Sequence, residues 1–145
     1  MKKNYTLILL LCTFLVLLAG CTPKNEPEME KTILQEMQEY KTENIGDSTA
    51  VSSMLNYLPS LDERFVQKMF ALQTENEPFG LIIYYEPLPD YEGVELIKTQ
   101  EMETYAGYLF ECIDNLGYVE FAYRTTVSDN TLIPEDYSTV TTITR

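Results

Sequence analysis

The chain has 145 residues, with 10 Lys and Arg against 23 Asp and Glu, a formal net charge of −13, no His and no Trp. That length holds about one ordinary domain. The lack of His excludes Ser-His-Asp and Cys-His nucleophile pairs and His-ligated zinc, and the acid excess argues against nucleic-acid binding, which rests on Lys and Arg against phosphate.

Met1-Lys2-Lys3-Asn4 is a basic head, Tyr5 to Leu18 is almost wholly apolar, and Ala19-Gly20-Cys21 leads into polar Thr22-Pro23-Lys24. This is the pattern of a secretory signal peptide. The apolar stretch is somewhat short for a spanning helix of ~20 residues. The ending Leu18-Ala19-Gly20-Cys21 resembles the lipobox of bacterial lipoproteins. The resemblance implies that residues 1–20 are removed and that Cys21 is acylated, tethering the chain to the extracytoplasmic face of the cell membrane. Two or more acyl chains anchor stably where one does not. Cleavage removes Lys2 and Lys3 and no acid, leaving 8 basic residues against 23 acids over 125 residues, a net −15. Such a domain is repelled by an anionic membrane and stands off from it. Cys12 leaves with the leader and Cys21 carries lipid, so Cys112 has no partner for an intramolecular disulfide.

Residues 21–43 read as the lipidated N-terminus and a flexible tether. Ile33, Leu34, Met37 and Tyr40 are spaced for two helical turns or for more tether alike. A single α+β domain is expected over 44–145. Gly46-Asp47-Ser48 is a turn with an N-cap at Asp47 or Ser48. Val51, Met54, Leu55 and Leu58 then mark one helical face, stopped by Pro59. Phe65 to Gln73 reads as a strand with Val66, Phe70 and Leu72 on one face and Lys68 out of pattern. Gly80 to Glu86 is apolar on both faces, as a central strand is. The short link between the two strands predicts an antiparallel hairpin.

Pro87 to Gly93 is a loop, and Val94 to Lys98 reads as a short strand. Met102, Tyr105, Ala106, Leu109, Ile113 and Leu116 repeat at helical spacing, with Glu101 and Glu103 in the first turn. Gly117 suits a left-handed cap after that helix, and Gly107 a close packing contact. Tyr118 to Arg124 alternates as a strand, and the Thr-rich tail offers an edge strand over Tyr137 to Thr144. The expected fold is a small, mostly antiparallel sheet of three to five strands with two helices packed on one face.

Asn44-Ile45-Gly46-Asp47-Ser48, the helix ending in Leu58-Pro59, Leu72 to Leu81, and Tyr105 to Phe121 resemble the domain-of-unknown-function 4825 family. The likeness covers roughly residues 44–124. Such domains resemble the extracytoplasmic part of some membrane metallopeptidases of the antibiotic-sensor type, and also occur as single lipoproteins of Gram-positive bacteria. The present chain has only the second architecture and carries no peptidase motif.

The chemistry on offer is sparse. Cys112 has no His to activate it and acids beside it, so it reads as a buried structural thiol. Abundant carboxylates leave a two-carboxylate hydrolase of an envelope polymer as the alternative function. Asp90-Tyr91-Glu92-Gly93 and Ser128-Asp129-Asn130 lack EF-hand spacing and read as solvated loops rather than calcium sites. No metal and no cofactor are expected. The favoured function is a binding or interaction domain, an accessory or sensor module for an envelope or membrane-protein partner. A structural lipoprotein without a specific ligand is the third reading. Gly46, Asp47, Glu77, Phe79 and Tyr84 are the candidate interaction surface, since aromatic groups beside acids suit peptides and sugars.

Overall fold

The computed structural model describes residues 31–129, 131 and 133–145. Residues 1–30, which include the expected leader and Cys21, and Asn130 lie outside them. The compact unit runs from Lys31 to Arg145. Its elements are α1 (Ile33–Gln38), α2 (Ser48–Leu55), β1 (Phe65–Gln73), β2 (Gly80–Pro87), α3 (Gln100–Cys112), β3 (Tyr118–Tyr123) and β4 (Ser138–Thr144), with 3-10 turns at Pro89–Tyr91 and Pro134–Asp136. Among the described residues no helix is long and apolar enough to cross a membrane.

Residues 33–43, read above as tether or helix, are ordered parts of this unit. The Thr32 hydroxyl accepts from Gln35 N while the Gln35 side chain accepts from Thr32 N, a reciprocal cap that starts α1. Met37 on its inner face is fully buried. Thr42 bridges to Ile113, exchanging bonds with Cys112 O and Asp114 N. Too few apolar residues for a long periodic pattern mark this arm, so its packing shows only in three dimensions.

The four strands lie in the order β1-β2-β3-β4. β1 pairs antiparallel with β2, and β3 with β4, but β2 and β3 run parallel, so the sheet is mixed rather than mostly antiparallel. The parallel pair follows from α3, which carries the chain back to the same end of the sheet between β2 and β3. Val94 to Lys98 forms no strand. Leu96 is nevertheless buried and Val94 packs against the core, so side-chain packing holds this link. Three α-helices occur among the described residues where two were expected.

Leu81, Ile83 and Tyr85 of β2 and Val119 and Phe121 of β3 share one apolar cluster with Val51, Met54, Met102, Ala106, Leu109 and Cys112 from the helices. β1 enters this cluster through Phe65, not Val66. A bulge between Gln67 and Met69 shifts the register, so Val66 pairs with Glu86 and stands 44 % exposed while Phe70 and Leu72 pair with Ile83 and Leu81. Lys68, out of pattern in the sequence, sits in that bulge.

The glycines also part from expectation. α3 ends at Cys112, capped by Ile113 in an extended conformation, and Gly117 has no left-handed backbone. Its role is space: a Cβ there would lie 2.7 Å from Pro78 Cβ and 3.2 Å from the Phe79 carbonyl. Gly107 faces open space rather than a close neighbour. The C-terminal end of α3 is instead satisfied from afar. The Arg145 guanidinium donates to the carbonyls of Phe110, Asp114, Ile113 and Leu116, and Arg145 N donates to Gly117 O. A cation at that position also meets the negative end of the helix dipole.

Candidate functional site

A groove of about 310 Å³ opens where α2 ends and β1 begins. α2 starts at Asp47, whose carboxylate accepts from Ala50 N, and unwinds through turns at Asn56, Tyr57 and Leu58 before Pro59. Ser60 then donates to Asp62 O at 2.8 Å, and Asp62 takes both Arg64 N and the Arg64 guanidinium, at 2.6–3.2 Å. The side-chain bond from Arg64 holds the Asp62 carboxyl below its ordinary range. This knot directs Phe65 into the core and leaves Val66 and Gln67 on the groove wall. Leu55, Asn56, Leu58, Pro59 and Tyr85 also line it. Burial pushes the Tyr85 phenol well above its ordinary value, so it stays neutral. The groove lining carries no carboxylate, no amine, no guanidinium and no thiol.

A second polar cluster lies on the other side of β2. Glu86 is the one buried charged residue among those described, 1 % exposed. Its carboxylate accepts from Tyr137 Oη at 2.5 Å and from Ser128 N and Oγ at 3.1 and 3.0 Å. Burial pushes its pKa up, but these donors outweigh burial and hold it below the ordinary value. Burial, and then the bond to Glu86, raise Tyr137 to about 12. The Tyr137 ring meets Tyr84 edge-on at 4.8 Å, and Arg124 sits over the Tyr137 ring at 5.6 Å while pairing with Asp136. The cluster therefore pins Ser128 and Tyr137 onto the sheet.

The sequence-derived candidates fall into local structural duties. Gly46 N donates to Asn44 Oδ1, and Asp47 caps α2. Glu77 is exposed in the β1–β2 turn. The Phe79 carbonyl accepts from Gly117 N and Tyr118 N. Tyr84 packs under Tyr137, away from the groove lining. Glu92, of the first calcium candidate, accepts from Val127 N, and no group of three metal-ligating side chains occurs among the described residues. Cys112 is fully buried, and burial, then Glu111, raise its thiol.

Val66 and Gln67 escaped sequence reasoning because the bulge changes the face they take relative to Phe70 and Leu72, and Ser60 because it lies in the link before β1, outside any periodic element. Glu86 had a signal: it follows Tyr84 on the second face of a strand apolar on both sides, so a covered acid was implied there.

The family model described as "Domain of unknown function (DUF4825)" matches residues 37–138. The chain belongs to that family. The match begins at Met37 inside α1 and takes in every element up to the start of β4. No match is found among curated proteins or among solved structures.

Proposed function

We propose that this chain is a lipid-anchored, extracytoplasmic interaction domain, an accessory or sensor module that meets an envelope or membrane-protein partner by surface complementarity. The observation that carries the reading is the groove beside β1, open, part apolar, and offering hydrogen-bonding side chains at Asn56, Ser60 and Gln67. The anchor rests on Leu18-Ala19-Gly20-Cys21 after the apolar leader. The helices are read as a layer on one sheet face, in keeping with the cluster that Met54, Met102 and Leu109 share with Ile83 and Phe121. The alternative, a carboxylate hydrolase, needs an acid held protonated near neutral pH. Glu86 is shifted the other way and its lone pairs are taken by Tyr137 and Ser128.

Crosslinking in intact cells tests the reading, comparing the full-length protein with Cys21→Ala. One membrane or envelope protein captured by the anchored form alone is the expected result. Capture of no reproducible partner by either form overturns it.

A further inference from the structure

We propose that the outer edge of β1 docks an extended peptide segment of a partner protein, with Lys or Arg at both ends of the paired stretch and an apolar side chain in the groove. This rests on the binding reading above and names the partner's chemistry.

β1 is a terminal strand of the sheet. Met69 to Gln73 pair with Tyr84 to Gly80 without a break, so the outer side of that run presents regularly spaced strand backbone. Edge strands of this kind accept a further strand through main-chain hydrogen bonds, with pockets for side chains supplying selectivity. The bulge at Lys68 ends the regular run, and the groove opens just beyond it, against Phe65, Val66 and Gln67. A strand added along Met69–Gln73 and continued past the bulge reaches this groove.

Charge decides the occupant. Glu63 precedes β1, and Glu75 and Glu77 follow it; all three are exposed, and none joins an ion pair among the described residues. Nine residues at about 3.3 Å each put these acids some 30 Å apart, at the two ends of the edge. A second copy pairing antiparallel on β1 would set Glu63 against Glu75 and Glu77 at both ends. Like charges placed opposite one another disfavour that pairing. Basic residues at the two ends of a partner strand turn the same acids into attraction. Lys68, the basic residue of β1, lies near enough to Glu86 to favour its charge, so it serves the opposite face of the sheet.

The test selects a displayed library of random twelve-residue peptides on the full-length chain in detergent, then reads amide hydrogen exchange with the enriched peptides bound. The expected peptides carry Lys or Arg near both ends of a β-prone run and slow exchange at Met69–Gln73. Glu63→Lys with Glu75→Lys, both at exposed turn positions, should weaken those peptides about tenfold and shift selection toward acidic ends. Protection at β4 or any other surface, enrichment without charge bias, or no enrichment overturns the proposal. The cellular crosslinks are a separate readout: if they persist while β1 stays unprotected, the interaction reading stands and this docking mode falls. If both fail, both readings fall.

Discussion

Glu86 shows how a carboxylate survives burial. Burial alone would push its pKa up, and three donors from Ser128 and Tyr137 more than offset that cost. Its folded pKa lies below the ordinary 4.5. The stability it contributes is therefore fully present above pH 4.5 and is lost as pH falls through the folded value. Glu86→Gln should cost on the order of 1–2 kcal/mol at neutral pH and flatten this acid limb; urea midpoints measured across pH for both proteins decide it. An unchanged acid limb in the variant would assign the effect to other groups. The glycines give a paired prediction. Gly107→Ala meets open space on a helix and should stabilise by about 1 kcal/mol. Gly117→Ala drives a methyl against Pro78 and should destabilise by ~1–3 kcal/mol. Denaturation midpoints of opposite sign are the check.

At the level of elements, helical and strand periods read well where a segment had room to repeat them. α3 spans 13 residues with five buried positions on one face, and its pattern was plain. β1 kept its bounds, but the bulge reversed the roles of Phe65 and Val66, because register depends on pairing with β2 rather than on alternation alone. α1 has six residues, too few for periodicity to separate helix from tether. Its attachment rests on Met37, fully buried beside α2 and α3 residues in the common cluster. Met37→Ala should cost roughly 2–5 kcal/mol, seen as a lower urea midpoint of the whole unit. A loss confined to the first turn, with β-strand amides still protected, would show α1 to be a separate appendage.

Across the whole molecule, charge is the strongest feature that composition alone exposes. With 23 acids against 10 bases, the folded chain repels itself. Salt screens that repulsion within about 10 Å at 0.1 M. The melting temperature should therefore rise from low to high sodium chloride, and calorimetry at neutral pH checks it. A fall with salt would mean that the five ion pairs found among the described residues outweigh the net repulsion.

Composition and local pattern determined the acidic character, the α3 helix, the β1–β2 hairpin and the edge strand at the tail, and they alone carry the leader pattern ending at Cys21. These features belong to neighbours in the chain: a hydrophobic period, a turn, a proline. The tertiary structure alone decided the parallel β2–β3 pairing, the packing of α1, the cap on α3 made by Arg145, and the groove beside Val66. Each of these joins residues far apart in sequence, where only pairing register and shape complementarity choose the partner. The candidate site lies in that second group, because a bulge of one residue took Val66 from an apparent core position to the lining of the groove.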